Sequence, residues 1–532
     1  MEMTLLIGAI VIIACVLCNR LANRIGMPLL IVFIGLGMFF GSDGLLKIPF
    51  DDFGFAEQIC SVALIFIMFY GGFGTKWSEA KPVALPSVLL SSVGTVLTAL
   101  LTGLICWLLL GFTMLEGMLI GAVLSSTDAA SVFSILRTKK LNLKYRTASM
   151  LEMESGSNDP FAYMLTVIIL SVMGGSGGAS LGYGIFAQLV FGVLFGVGAG
   201  LGASWLLKHY SFEAEGFEAG FMFAVAVLAY AVPVMLGGNG YLSAYLAGII
   251  LGNAQIASKK KLVHFFDGLT SLMQVMIFFL LGLLSFPSQM PGILPWAAAI
   301  AILLTFVVRP LVVTLLLKPF RASWQQIGLV SWAGLRGASS IVFAIMVTVS
   351  PVYTDNDVFH IVFCVVLFSI LLQGSLLPKM AEKLRMVDQS GNVLKTFNDY
   401  SEETQVQFIC SRISAKHPWN GRAVQELSMP EDILMVMIRR GAQAVVPRGE
   451  TRLKEGDEAV LCAAEYQGQE EMHLVEIRID AEHGWKDKKV RELGLRKGSL
   501  ILLIRRDQDT VIPRGSTQIL EGDLLVIREQ IE

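Results

Sequence analysis

Asp159 follows Asn158 and precedes Pro160 near the start of the apolar stretch 150–172, and Asp128 lies inside the preceding apolar stretch, 118–136. Charges at membrane depth are costly and persist mainly where they line a polar cavity or bind something. Glu154 and Asn158 are four residues apart, as are Ser155 and Asp159, so each pair shares a helix face. Pro160 has no N–H, so the carbonyl of Gly156 loses its usual helical donor. A freed carbonyl beside Ser155, Asn158 and Asp159 offers the oxygens that a desolvated monovalent cation needs. Asp128 and Thr127 add two more ligands if their helix touches this one. A proton and a cation each neutralise such a carboxylate, so they compete for it. That competition is exchange chemistry: loading one expels the other, and transport follows if the loaded site faces the two sides in turn. Asp159 is the first candidate for the exchanging group and Asp128 the second.

The neighbouring charges call for other roles. Arg336 is a basic residue deep in an apolar stretch, and an unpaired arginine there would cost roughly 2.5–3.5 kcal/mol on the insertion scale. Glu154 is its expected partner, in a pair that neutralises both and leaves Asp159 to exchange. Arg309, late in its stretch and just before Pro310, is expected to snorkel to the interface. Glu152 follows a basic loop and reads as interfacial. Asn239, Gln274 and Gln373 read as packing or cavity-lining groups.

These residues need helices in a membrane to position them. The chain of 532 residues is 54% hydrophobic and 16% charged, more apolar surface than one water-soluble core could hide. Thirteen apolar segments of roughly bilayer length are expected near 3–19, 28–46, 58–74, 86–110, 114–136, 150–173, 183–207, 217–236, 240–256, 264–286, 294–317, 326–350 and 358–378. The first has no small-residue cleavage site and reads as a retained helix. Eighteen lysines and arginines fall in the odd-numbered connections and Lys47 alone in the even ones. The positive-inside rule then puts the odd connections and the C-terminal tail in the cytoplasm and the N-terminus outside. Two six-helix units of opposite topology, joined by the seventh helix, would pair the fifth helix with the twelfth. Both carry interruptions, Ser125-Ser126-Thr127-Asp128 and Gly334-Leu335-Arg336-Gly337, as discontinuous transporter helices do. The expected fold is an all-α polytopic membrane protein with inverted repeats and discontinuous crossing helices, followed by an α+β tail. The seven scattered cysteines show no metal or redox spacing, so neither a fixed metal nor a cofactor is expected.

The tail contains a duplication. Trp419, Val424 and Leu427 recur as Trp485, Val490 and Leu493; Arg439-Arg440 as Arg505-Arg506; Val446-Pro447-Arg448-Gly449 as Ile512-Pro513-Arg514-Gly515; and Glu455-Gly456-Asp457 as Glu521-Gly522-Asp523. Each copy reads as a short helix, an alternating strand (433–438, 500–504), a Pro/Gly turn and a last strand (459–461, 524–527). The expected division is a membrane domain at 1–385, a linker at 386–402, a first module at 403–480 and a second, partial copy at 481–532. Regulation by a small molecule or nucleotide, or assembly, is the expected use. The tail has no dinucleotide or phosphate-loop motif, and nothing suggests nucleic acid.

The stretch Glu154-Ser155-Gly156-Ser157-Asn158-Asp159-Pro160, with Ser126-Thr127-Asp128 and Gly334-Leu335-Arg336-Gly337, resembles the monovalent cation:proton antiporter-1 family in its NhaP-type bacterial branch. The tail resembles the C-terminal module of potassium-channel and Trk-system regulators. The resemblance implies that Asp159 is the ion- and proton-binding carboxylate, and that Asp128, Thr127 and Ser155 supply ligands or shape the site. It further implies that Asn158 orients the site, that Glu154 pairs with Arg336 and that the protein is a homodimer. Joined to such a tail, the membrane unit resembles the potassium/proton antiporters of Gram-negative inner membranes, with one cation traded for one proton. The expectation is therefore a non-enzymatic K+ (and Na+) for H+ antiporter serving pH, ion and volume balance. A Na+/H+ antiporter is the nearest alternative and a ligand-gated cation channel an alternative of another class. Oxygen number and cavity size set the choice between K+ and Na+, and the residue pattern leaves it open.

Overall fold

The computed structural model describes residues 29–388, 406–464 and 474–528 apart from short internal stretches, with isolated positions before residue 29. The chain divides into two compact units, Met1–Glu402 and Glu403–Glu532.

The first unit is all helix. In chain order it contains α1 (Leu29–Phe40), α2 (Phe53–Gly74), α3 (Lys81–Leu110), α4 (Met114–Val123), α5 (Ala129–Thr138), α6 (Thr147–Met173) and α7 (Gly178–His209). It continues with α8 (Glu215–Met235), α9 (Gly240–Gly252), α10 (Lys259–Leu283), α11 (Met290–Phe320), α12 (Trp324–Trp332), α13 (Ala338–Val349) and α14 (Val358–Lys383). Seven described helices are long and apolar enough to cross a membrane, and α1, α4, α9 and α13 are shorter apolar helices. Every segment expected from residue 28 onward contains helix. The one expected at 3–19 lies outside the described residues. The unit is thus a polytopic membrane protein, with apolar side chains such as Leu194, Leu228 and Phe306 turned outward.

Two expected helices are broken in mid-course. Residues 124–128 separate α4 from α5, and residues 333–337 separate α12 from α13. A chain leaving helical geometry inside a bilayer must find new partners for its backbone polar groups. Here the two breaks supply them to each other. The Asp128 N–H donates to the Leu335 carbonyl at 2.8 Å. The Arg336 guanidinium donates to the carbonyls of Ser125 (3.0 Å) and Ser126 (2.6 Å), and the Arg336 N–H donates to Ser369 Oγ at 3.0 Å. Asp128 caps α5 by accepting from the Ser131 N–H at 3.2 Å and from the Ser131 hydroxyl. Its carboxylate lies so close to Gly337 that a Cβ there would overlap it, so the crossing requires glycine.

Single π-turns interrupt α3 at Leu90–Gly94, α11 at Leu304–Val308 and α14 at Ser369–Gly374. In the last two a proline follows, Pro310 and Pro378. Its missing N–H and bulky ring disturb the turn before it, and a wide turn relieves that conflict. Close backbone packing joins other helices: a Cβ at Gly248 in α9 would overlap the Phe69 carbonyl of α2. Beyond α14 the chain returns to the α5–α6 loop. Leu143 and Val387 form an antiparallel bridge, with Lys144 N–H donating to the Met386 carbonyl and Asp388 N–H to the Asn142 carbonyl, each at 2.9 Å.

The second unit holds two four-stranded antiparallel sheets. Strands β1 (Val406–Arg412), β2 (Ile433–Arg440), β3 (Gln443–Val445) and β4 (Glu458–Ala464) lie in the order β1-β4-β2-β3. Strands β5 (Leu474–Arg478), β6 (Leu500–Arg506), β7 (Asp509–Val511) and β8 (Leu524–Arg528) repeat it as β5-β8-β6-β7. Two expectations change. The short helix of each copy is a single 3-10 turn, Val424–Glu426 and Val490–Glu492. The boundary expected at 480 falls too late, because β5 pairs with β8; the second copy includes Leu474–Arg478 and carries all four strands rather than part of the module. Each copy buries an aspartate, just before its last strand, against an arginine 17 residues earlier. Arg440 meets Asp457 at 2.7 Å, and Arg506 meets Asp523 at 2.8 Å.

Candidate functional site

α6 carries the expected site residues on one buried face: Glu154, Ser155, Asn158 and Asp159 are all buried. The helix runs past the crossing of the two breaks, so their polar groups meet its side chains. Ser155 Oγ donates to the Thr127 carbonyl at 2.7 Å, and Asn158 Nδ2 donates to Thr127 Oγ1 at 2.6 Å. These two contacts pin the first break to α6. Asn239 does the same for α9. It accepts from the Leu242 N–H at 3.0 Å as a helix cap and donates to the Pro160 carbonyl at 2.8 Å, a role its sequence setting did not reveal.

Asp159 is held from both sides. Ser126, in the first break, donates its hydroxyl to Oδ1, and Ser339, at the start of α13, donates to Oδ2 at 2.6 Å. The carboxylate thus lies beside the N-terminus of α13, where the helix dipole favours negative charge. Arg336 stands at the C-terminal side of α4, where the dipole favours a cation. Ser126 and Ser339 were not among the expected ligands. Ser126 was legible as part of the polar break; Ser339 follows a glycine-rich break that drew attention only to its arginine. Asp128 lies at the same crossing, occupied as the cap of α5.

The expected ion pair is corrected. Glu154 pairs with Arg309, not Arg336. Arg309 is 3% exposed and buried in α11, so it does not snorkel to an interface. The π-turn just before Arg309 alters which face it presents, and α11 runs on to Phe320, which places the arginine well inside the helix. Arg336 spends its charge on backbone carbonyls instead. Arg309 and Arg336 both line one cavity of about 10 Å³ with Gly334, Ser369 and Gln373, about the room one water needs. Gln373, read as a packing or cavity-lining group, lines this cavity; its side-chain oxygen accepts the Ser369 hydroxyl at 2.6 Å, and its backbone carbonyl accepts from Trp332 Nε1 at 3.1 Å.

Among the described residues no group of three or more His, Cys, Asp or Glu side chains could hold a metal ion. The site offers the Asp159 carboxylate, with hydroxyl groups of Ser126 and Ser339 on it and Asp128 at the same crossing. Residues 9–383 match the transmembrane sodium/hydrogen exchanger family, and residues 411–465 and 474–531 match the TrkA-C domain. The chain belongs to the sodium/hydrogen exchanger family. Within it the chain is of the NhaP type, a secondary antiporter of monovalent cations and protons with a TrkA-C tail, and is a transporter rather than an enzyme.

The K(+)/H(+) antiporter NhaP2 of Shewanella sp. (strain MR-4) is 33% identical over 465 residues, covering 86% of this chain and 80% of the relative. The K(+)/H(+) antiporter NhaP of Alkalimonas amylolytica is 32% identical over 471 residues, covering 87% and 81%. The Na(+)/H(+) antiporter ApNhaP of Aphanothece halophytica is 27% identical over 385 residues, covering 69% and 71%. The sodium proton antiporter MjNhaP1 of Methanocaldococcus jannaschii, solved at pH 8, has the same fold, with a TM-score of 0.63 at 24% identity over 70% of this chain and all of that one.

Proposed function

We propose that the protein exchanges cytoplasmic K+, and also Na+, for external H+ at Asp159, one for one. The observation that carries this reading is the seat of Asp159: a buried carboxylate between hydroxyls from both broken helices. The carboxylate crosses loaded, as an acid or as a cation salt, and never bare. One-for-one coupling is supported by its neighbours. Glu154 is neutralised by Arg309, Asn158 supplies no second charge, and Asp128 is engaged as a helix cap. K+ as the main cation is supported by the names of the relatives at 32–33% identity; the more distant ApNhaP is named for Na+.

Asp128, Thr127, Ser155 and Asn158 complete the site in this reading, shaping it or lending oxygens to the ion. Thirteen spans in two inverted units fit the recurrence of a π-turned helix followed by a broken one: α3 precedes the α4/α5 break, and α11 precedes the α12/α13 break. The charge bias of the connections supports a bacterial inner-membrane location with the N-terminus outside and the tail in the cytoplasm. A homodimer, and a small-molecule or nucleotide regulator on the tail, belong to the same reading.

In everted membrane vesicles holding an imposed proton gradient, added K+ collapses the gradient for the native protein, and Na+ does so more weakly. Asp159→Asn abolishes both responses while the protein is still inserted. Retained exchange in that variant, or K+ flux with no proton movement, defeats the proposal.

A further inference from the structure

We infer that Ser339 is a ligand of the transported cation, contributed by the second half of the membrane unit and needed for its selectivity. The inference rests on the reading of Asp159 given above. Ser339 Oγ lies 2.6 Å from Asp159 Oδ2, and its residue is buried. It is matched across the carboxylate by Ser126 on Oδ1. A serine hydroxyl carries one proton and two lone pairs. With Asp159 ionised and no cation bound, both serines lie within reach to spend their protons on the carboxylate. A cation arriving at the carboxylate repels those protons. Each hydroxyl then turns about its own C–O bond and presents a lone pair, with no backbone movement. The same two oxygens thereby satisfy the carboxylate in the unloaded state and the ion in the loaded one.

Other oxygens are less available for this switch. Ser155 Oγ is directed to the Thr127 carbonyl, Thr127 Oγ1 accepts from Asn158, and Asp128 is occupied with Ser131 and packed on Gly337. The position of Ser339, in the first turn of α13, also makes the cation a bridge between the two breaks. Neutral oxygen number and field strength discriminate between alkali ions. Deleting one hydroxyl from the set therefore alters preference as well as affinity.

The experiment compares native protein, Ser339→Ala, Ser339→Thr and Asp159→Asn in everted vesicles, with K+ and Na+ titrated separately. Ser339→Ala is expected to raise the KM for K+ about tenfold, the scale of losing one polar contact to a charged group, with kcat changed by less than about twofold. Its ratio of KM for K+ to KM for Na+ also shifts, while Ser339→Thr keeps both values near native. In detergent, KCl relative to choline chloride raises the melting temperature of native protein more than that of Ser339→Ala. A native KM for both cations in Ser339→Ala, or lower stability with an unchanged ratio, overturns the inference. If Ser339→Ala does not fold, Ser339→Cys serves: it keeps the shape but replaces a hard oxygen by a soft sulfur, and a native KM there is equally fatal. Exchange surviving in Asp159→Asn instead removes the reading on which the inference stands, whatever Ser339 does.

Discussion

Glu154 and Arg309 show how strongly a single buried charge depends on its partner. Removing one member of a buried pair leaves the other uncompensated and costs about 3–5 kcal/mol, whereas replacing both by apolar groups of similar volume is often neutral. Arg309→Met is therefore expected to abolish recovery of folded protein or to lower its melting temperature sharply. Glu154→Leu/Arg309→Met is expected to restore much of that stability, measured by thermal unfolding in detergent. The same double change in a protein that kept Glu154 paired with Arg336 would restore nothing. The sequence showed the carboxylate and both arginines, and the motif 154–160 pointed to Asp159. It could not show which arginine faces Glu154, because a π-turn of five residues rotates one helix face without a distinctive residue pattern. Ser339 was obscure for a related reason: its role depends on a crossing that brings together residues 180 positions apart.

Elements were more legible than contacts. Apolar length located the helices, and the polar runs 125–128 and 334–337 located the breaks, because a bilayer penalises unpaired backbone wherever it occurs. Their mutual hydrogen bonding required three dimensions. At the crossing, Gly337→Ala places a Cβ against the Asp128 carboxylate and is expected to stop exchange in the vesicle assay while leaving membrane insertion intact. Gly248→Ala wedges α9 from α2 and is expected to cost about 1–3 kcal/mol, as overpacking does, seen as a lower melting temperature. In the tail, the repeat was plain in the sequence, but the completeness of the second copy was not, since β5 precedes the matched tryptophan. The Arg440 guanidinium beside Asp457 holds that carboxyl below its usual range against the opposing effect of burial. At Asp523 burial pushes upward, and Arg506 with the Leu520 N–H outweighs it. Both folded values are depressed, so this stabilisation is complete above the ordinary value of 3.8 and is lost as pH falls through the folded values. Limited proteolysis of the full-length protein by an acid-active protease should find both modules resistant above that pH and progressively cleaved below it. Asp457→Asn should make the first module susceptible to trypsin at neutral pH.

At the scale of the whole molecule, the seam between Leu143 and Val387 gives the chain's exit from the bilayer unit a mechanical meaning. The strand that leaves α14 towards the tail is stitched to the loop that leads directly into the helix bearing Asp159. The residues that follow α14 are thus held to the loop that opens α6 through this bridge, as well as to α14 through the chain itself. Asp388→Pro deletes one of the two backbone hydrogen bonds of the stitch without touching the ion seat. Exchange should persist in that variant, while trypsin cuts at Lys139 and Lys144 several-fold faster than in native protein. An unaltered cleavage rate would mean the loop is fastened by other means. With the stitch intact, the segment leaving α14 and the loop that opens α6 share one backbone anchorage.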